Sequence, residues 1–269
     1  MILKNSEILL TEPRGFCAGV ERAIEIVNRA VEIFDETIFV KHEVVHNKHV
    51  IEQLVEKGVV FVESLETVPD QSILIYSAHG VSKEISELAT KKRLKVFDAT
   101  CPLVTKVHFE IHKFASQNID VVLVGHSGHP EVEGTMGQYI SENGKIHLVE
   151  TNDDIDKLKI ENKNIAYVTQ TTLSVDDTKS IVSCLRKKFP NIIGPRKDDI
   201  CYATQNRQEA VKKILEFCDS LIVVGSQNSS NSQRLKEIGV QYGIKSYLID
   251  DINQIDIDDL SSDKIIGIT

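Results

Sequence analysis

The sequence has little of what marks nucleic-acid-binding, membrane and secreted proteins. Its 31 Lys and Arg are outnumbered by 40 Asp and Glu, for a formal net charge of −9, so it lacks the basic surface that nucleic acid requires. No apolar run approaches the roughly 20 residues of a membrane-spanning helix. Residues 1–10 contain Lys4 and Glu7 and no small-residue cleavage site, unlike a secretory signal. We therefore expect a cytoplasmic protein that binds neither nucleic acid nor membrane.

Cysteine pairs and glycine-rich motifs are also missing. The five cysteines are too few and too scattered for a disulfide framework, and none stands in Cys-x-x-Cys, which disfavours a zinc ribbon or a thioredoxin-type site. Neither Gly-x-Gly-x-x-Gly nor Gly-x-x-x-x-Gly-Lys-Ser/Thr occurs, so no nicotinamide or ATP site is indicated. Any electrons that the protein uses must then come from another protein.

What the chain does contain is an alternation of short apolar runs and amphipathic segments. The runs are rich in Val and Ile and continuous, as expected of strands covered on both faces. They lie at residues 8–10, 38–40, 59–62, 73–76, 121–124, 165–168, 221–224 and 265–268. Segments with helical spacing separate them, so the sequence predicts an α/β fold with mostly parallel sheets.

Three cysteines mark an internal repeat. Cys17, Cys101 and Cys201 each lie where a predicted strand gives way to a helix, and each is followed 28 or 29 residues later by a polar loop residue. These loop residues are His46, His129 and Ser229. The spacing predicts three small α/β units with approximate threefold symmetry, at residues 14–100, 101–197 and 198–269 together with 1–13. Three thiols that converge on one point can hold a metal or an iron–sulfur cluster and leave one coordination position free for a substrate.

The alternative for any free cysteine is a place in the apolar core, which is the commoner one. Cys184 and Cys218 fit it, because each lies among apolar residues of a predicted helix. Cys17, Cys101 and Cys201 lie instead in turns just before a helix, where the N-terminal dipole and free N–H groups lower the pKa of a thiol. We expect these three to be the ligands.

Polar loops supply candidates for acid–base chemistry and anion binding. Glu131 follows His129 and Pro130 on a stiff turn and is the best acid or base, although a glutamate there also simply favours a helix N-terminus. His46, His79 and His129 could together bind an anion without Lys or Arg, or could be ordinary surface or core histidines.

Two further loops are rich in hydroxyl groups. Residues 228–232 (NSSNS) exceed the single residue that a helix cap needs, and they suit a phosphate. Thr171 and Thr172 are weaker candidates, since Ser174 and Asp177 already form a capping box and the threonines could be plain linker.

Five motifs in order resemble those of the 4-hydroxy-3-methylbut-2-enyl diphosphate reductase family, which performs the last step of the non-mevalonate isoprenoid pathway. They are residues 13–20 (PRGFCAGV), 42–47 (HEVVHN), 97–102 (FDATCP), 128–135 (GHPEVEGT) and 199–204 (DICYAT). The resemblance runs from about residue 8 to the last residue. It implies three α/β domains around a central [4Fe-4S] cluster held by Cys17, Cys101 and Cys201.

The resemblance also implies a reaction and a set of site residues. The cluster's open iron would bind the substrate's hydroxyl oxygen, and two electrons from a flavodoxin or ferredoxin would remove that hydroxyl as water. The products would be isopentenyl and dimethylallyl diphosphate. Glu131, with Thr171 and His129, would form the catalytic set that relays protons. The predicted substrate-binding residues are His46, His79, His129, Thr171, Thr172, Asn228, Ser229, Ser230 and Asn231.

The chain departs from the family pattern at its end. Family members continue past the strand at 264–269 with a short turn, whose serine binds the diphosphate, and then a closing helix. We therefore expect an incomplete third unit, a weakened diphosphate pocket and an uncovered apolar patch. The alternatives to an active reductase are a weakly active or inactive truncated member of the family and a hydro-lyase with a three-cysteine cluster.

Overall fold

The computed structural model describes residues 6–269, in which strands and helices alternate along the chain. The strands are β1 (Glu7–Leu10), β2 (Ile38–Lys41), β3 (Val60–Val62), β4 (Ile73–Tyr76), β5 (Lys95–Asp98), β6 (Asp120–Val124), β7 (Ile146–Val149), β8 (Ile165–Thr169), β9 (Ser220–Val224), β10 (Lys245–Ile249) and β11 (Ile265–Ile268). The helices are α1 (Ala18–Ile33), α2 (Lys48–Glu56), α3 (Lys83–Lys91), α4 (Pro102–Ser116), α5 (Pro130–Met136), α6 (Asn152–Lys157), α7 (Val175–Lys188), α8 (Tyr202–Leu215) and α9 (Ser230–Gln241).

The strands form three separate sheets, which confirms the predicted α/β class. The strand orders are β3-β2-β4-β5, β7-β6-β8 and β1-β11-β9-β10, and every named pairing is parallel. The N-terminal strand β1 lies in the third sheet, where it pairs with β11. Residues 1–5, which the sequence assigns to the third unit and to a non-secretory N-terminus, lie outside the described residues. The domain boundaries near residues 100 and 197 stay a prediction.

The apolar runs do not predict three of the strands, β5, β7 and β10. Each of them lies at one edge of its sheet. All four residues of β5 are exposed, from Lys95 to Asp98, and β10 begins with Lys245 and Ser246. An edge strand has a neighbour on one side only and is often charged, so it need not carry a continuous apolar run. The central strands β4 and β6, by contrast, are buried at every position.

Helices cover the sheets with one apolar face each. In α1 this face consists of Ala23, Val27 and Ala30, which are buried against the core of the first sheet. Cys218 is buried, and Cys184 packs half-buried against the core of the second sheet, as predicted for core cysteines. Within residues 6–269, no helix combines the length and the apolar character needed to cross a membrane.

Candidate active site

Three helices present a cysteine at the residue that caps their N-terminus. Cys17 precedes α1, Cys101 precedes α4 and Cys201 precedes α8, one helix associated with each of the three sheets. All three cysteines line one cavity of about 520 Å³. We call Cys17, Cys101 and Cys201 the thiol rim of this cavity. Each thiol therefore lies beside the free backbone N–H groups at the start of a helix.

The thiols of this rim are close enough to affect one another. Burial raises the pKa of the Cys101 thiol, the nearby N–H groups of Leu103 and Val104 oppose that shift, and charge on Cys17 and Cys201 adds to it. At Gly19, a Cβ atom would lie 2.8 Å from the Sγ of Cys101 and 3.8 Å from that of Cys17. A glycine at this helix position therefore keeps free the space beside two of the thiols.

The rim does not have the dimensions of a site for one metal ion. In the part of the chain that the structure describes, no three His, Cys, Asp or Glu side chains gather closely enough to hold a single ion. Three thiols around a cavity of about 520 Å³ fit a larger group that each thiolate would contact at a different atom.

Polar and titratable side chains line the rest of the cavity. Its polar residues include His46, His79, His129, Glu131, Thr171, Thr172, Ser229, Ser230 and Asn231, which we call the polar rim. The structure thus brings together all the predicted site residues except Asn228, which lies outside the lining of this cavity. The amide of Asn228 donates instead from Nδ2 to Oε2 of Glu43, 2.8 Å away.

The three histidines of the polar rim contact one another. The rings of His46 and His79 are stacked with centroids 4.2 Å apart, and His129 meets both edge-on at 5.5 and 5.6 Å. Burial first, and then the neighbouring imidazoles, lower the pKa of His79 well below its ordinary value and that of His129 to about 4. Both rings are therefore neutral at neutral pH. His129 accepts a hydrogen bond at Nδ1 from the N–H of Glu131 (3.1 Å), so its Nε2 carries the proton and can donate.

Glu131 is the buried acid of the site. It lies in the first turn of α5 and is 3% exposed. Its carboxyl group accepts from the N–H of Thr171 (2.6 Å) and from Oγ1 of Thr171 (2.9 Å). Burial raises its pKa to about 7, Thr171 opposes that shift, and the charge of Asp199 adds to it. A carboxyl group that holds a proton near neutral pH can act as a general acid.

The serine-rich loop covers one end of the cavity. Ser229 caps α9, since its Oγ accepts from the N–H of Ser232 at 3.3 Å. Ser230 donates from Oγ to the carbonyl oxygen of Thr172 (2.9 Å), and Oδ1 of Asn231 lies 3.5 Å from Nε of Arg207. Hydroxyl groups at a helix N-terminus suit an anionic group.

Sequence reasoning missed several residues of the site. Arg22 and Arg207 line the cavity, and neither is among the candidates that the sequence suggests for binding an anion. Asp199 is buried beside it: burial raises its pKa to about 6, while Lys106, whose Nζ lies 2.9 Å from its Oδ1, lowers it. The motif around Cys201 contains Asp199, which was a usable signal. Arg207 lies within α8 and looks in sequence like any exposed helical arginine.

Comparisons with known proteins agree with this geometry. Residues 8–269 match the family model described as LytB protein. A 4-hydroxy-3-methylbut-2-enyl diphosphate reductase of Methylococcus capsulatus is 59% identical over 264 residues, which cover 98% of this chain and 84% of that protein. One of Nitrosomonas europaea with the same name is 55% identical, covering 97% of this chain and 81% of that protein.

Solved structures agree as well. The E-1-hydroxy-2-methyl-but-2-enyl-4-diphosphate reductase of Plasmodium falciparum superposes with a TM-score of 0.94 at 44% identity, over 98% of this chain and 83% of that one. A second structure, described as (E)-4-hydroxy-3-methyl-but-2-enyl diphosphate reductase and the terminal enzyme of the non-mevalonate pathway, gives a TM-score of 0.68 at 32% identity. It covers 97% of this chain and 92% of that one. The chain therefore belongs to the LytB family.

Proposed function

We propose that this chain is a 4-hydroxy-3-methylbut-2-enyl diphosphate reductase. It takes the allylic alcohol (E)-4-hydroxy-3-methylbut-2-enyl diphosphate, two electrons and two protons, and yields water and either isopentenyl or dimethylallyl diphosphate. One observation carries the proposal: a single cavity joins three helix-capping thiols to a cluster of imidazoles and hydroxyls and to a buried glutamate whose pKa is raised to about 7. The names of relatives that match almost the whole chain support it.

Cys17, Cys101 and Cys201 would hold the [4Fe-4S] cluster. The fit rests on thiols that line one cavity, on the lack of a single-ion site among the described residues, and on the space kept free at Gly19. When bound, such a cluster supplies one-electron redox chemistry at a low potential. We propose a flavodoxin- or ferredoxin-type protein as its donor and the cytoplasm as its location.

The chain's own residues would bind the diphosphate and move protons. His46, His79, His129, Ser229, Ser230 and Asn231, with Thr172 and Asn228 nearby, would fix the diphosphate end of the substrate. Glu131 would then give its carboxyl proton to the leaving hydroxyl group, directly or through Oγ1 of Thr171, which lies 2.9 Å from Oε2. The Nε2–H of His129 would hold the diphosphate in that position. Because Glu131 is 3% exposed, this proton is shielded from bulk water.

We also propose that the chain consists of three units, with boundaries near residues 100 and 197. Three separate parallel sheets support this division, each with a cysteine-capped helix that points its N-terminus at the common cavity. Each unit would then contribute one thiol and one polar loop to the site.

The test is turnover of the alcohol by anaerobically purified protein with a chemical reductant. Glu131→Gln should retain iron, sulfide and the visible spectrum and lose about 10²- to 10⁴-fold in turnover, the usual contribution of a general acid. Glu133→Gln is the matched control, because Glu133 lies in the same helical turn but is exposed. Normal turnover in Glu131→Gln would contradict the proton-donor role. A protein that loads its cluster but consumes no electrons with this alcohol would contradict the proposed function.

A further inference from the structure

The side chain of Glu43 joins two parts of the site that are far apart in sequence. Its Oε2 atom accepts from Nδ1 of His46 (3.0 Å) and from Nδ2 of Asn228 (2.8 Å). His46 precedes α2 near the first sheet, and Asn228 lies in the loop between β9 and α9. Glu43 is not among the residues that line the cavity, and its side chain is 38% exposed.

This contact decides which nitrogen of His46 carries a proton. An ionised carboxylate only accepts hydrogen bonds, so Nδ1 must be the donor, and in the neutral ring Nε2 is then a bare acceptor. Nε2 is buried and finds no hydrogen-bond partner within residues 6–269. A bare acceptor is unsuited to an anion, whereas a protonated Nε2 is a charge-assisted donor to one. The carboxylate on the opposite side of the ring stabilises the resulting positive charge.

The other two histidines of the polar rim are placed differently. Burial and the neighbouring rings lower the pKa values of His79 and His129, and within the described residues neither pairs with a carboxylate. The groups that face His46 are Glu43 on its own loop and the rings of His79 and His129. His126 and Arg234 share with it the adjoining hollow. Among these groups Glu43 is the one negative charge.

We propose that Glu43 is a positioning residue for the diphosphate. It holds His46 with Nδ1 protonated, so that Nε2 takes up a second proton from solvent when the anion binds, and one imidazolium faces the diphosphate between two neutral rings. The inference rests on the proposed function, because that function supplies the diphosphate ligand. The proposal also explains why a carboxylate lies beside an anion site. Alone, the carboxylate of Glu43 would repel the anion, but by stabilising a charged His46 it favours binding.

The test measures the binding of inorganic pyrophosphate to the cluster-loaded protein by calorimetry, near pH 8 and near pH 6. Glu43→Gln keeps the size of the side chain and can still accept from His46 and Asn228, but it carries no charge. We expect it to weaken binding about ten-fold near pH 8 and about two-fold or less near pH 6, where the solvent supplies protons more readily and the charge of Glu43 matters less. A merely structural contact would give the same loss at both pH values. Unchanged or tighter binding, or a pH-independent loss, would overturn the proposal.

Glu63→Gln is the matched control. Glu63 pairs with Nδ1 of His42 in the same unit, and neither residue lines the cavity. Removing its charge should leave pyrophosphate affinity unchanged at both pH values. A loss as large as that of Glu43→Gln would show a general effect of charge and would overturn the assignment to Glu43.

A second measurement decides the matter if Glu43→Gln does not fold. Pyrophosphate is titrated into wild type and His46→Asn in two buffers that differ in ionisation enthalpy, which reports the protons taken up on binding. Wild type should take up about one proton more than His46→Asn near pH 8. Equal uptake would overturn the proposal. Pyrophosphate binding needs neither electrons nor turnover, so failure of the proposed function would appear separately, as pyrophosphate binding without reductive turnover.

Discussion

The thiol rim and the polar rim line the same cavity but differ in symmetry. The thiol rim repeats one residue type at one position, the N-terminal cap of a helix, once for each of the three sheets. In the polar rim, the equivalent loops carry His46, His129 and Ser229. A near-symmetric backbone thus lines one part of the cavity with three like side chains and the other part with unlike ones. The difference indicates that the repeated backbone suits the proposed cluster, whereas the differing loop residues suit the proposed diphosphate.

The largest expected effect tests whether the thiol rim acts as one unit. Cys201→Ser should lower iron and sulfide content well below wild type and reduce turnover by more than about 10²-fold, since even residues that only support a metal ligand cost 10- to 100-fold. Cys184→Ser is the control, because Cys184 is a free cysteine packed at the edge of an apolar core. It should retain both contents. Equal iron in the two variants would remove the distinction between ligand and core cysteines.

A smaller effect concerns stability in the polar rim. Burial raises the pKa of Glu131 from 4.5 to about 7 in the folded protein, so the native state holds this proton more tightly than the unfolded state does. The free energy of unfolding must therefore fall as pH rises from about 4.5 to about 7, and this contribution is constant above that range. Glutamine does not titrate. In denaturant unfolding, the free energy of unfolding of Glu131→Gln relative to that of wild type should increase across this range, by on the order of 3 kcal/mol. Parallel pH profiles would contradict the buried, protonated carboxyl group.

A still smaller effect on stability tests the close packing of the thiol rim at Gly19. Alanine normally stabilises a helix by about 1 kcal/mol relative to glycine. Here the added Cβ would lie 2.8 Å from the Sγ of Cys101, and such overpacking costs about 1–3 kcal/mol. Gly19→Ala should therefore lose part of its iron and sulfide during anaerobic purification and melt at a lower temperature than wild type. A more stable variant with full iron content would show that the space beside the thiols is not required.

Sequence could predict the thiol rim and much of the polar rim because each residue there stands at a strand-to-helix junction. Cys17 and Glu131 are recognisable from their immediate neighbours alone. Glu43 is not, because its partner Asn228 lies 185 residues away in sequence and only the folded chain brings the two together. Arg207 lies within α8 and does not differ in pattern from an ordinary helical residue. Gly19 is part of the motif at 13–20, but the motif does not show that Gly19 packs beside the Sγ of Cys101. The edge strands β5, β7 and β10 were missed because an exposed strand lacks the apolar run that marks a buried one.

The smallest expected effect separates two neighbouring serines of the polar rim. Oγ of Ser229 accepts from the N–H of Ser232 (3.3 Å) and from its hydroxyl (3.1 Å), which leaves the proton of Ser229 free for a ligand. The proton of Ser230 is already donated to the carbonyl oxygen of Thr172. Ser229→Ala should therefore raise KM about ten-fold with kcat nearly unchanged, since a hydrogen bond to a charged group that is equal in ground and transition states affects binding alone.

Ser230→Ala should raise KM by about three-fold or less, because a neutral hydrogen bond within the protein contributes less than one to an anion. Ser229 also caps α9, so the loss of a cap must be separated from the loss of a ligand contact. Ser174→Ala provides that control, because Ser174 caps α7 in the same way and does not line the cavity. It should lower stability by about 1 kcal/mol, like Ser229→Ala, and leave KM unchanged. If Ser174→Ala raised KM as much as Ser229→Ala, helix capping alone would account for the effect, and no ligand contact would be assigned to Ser229.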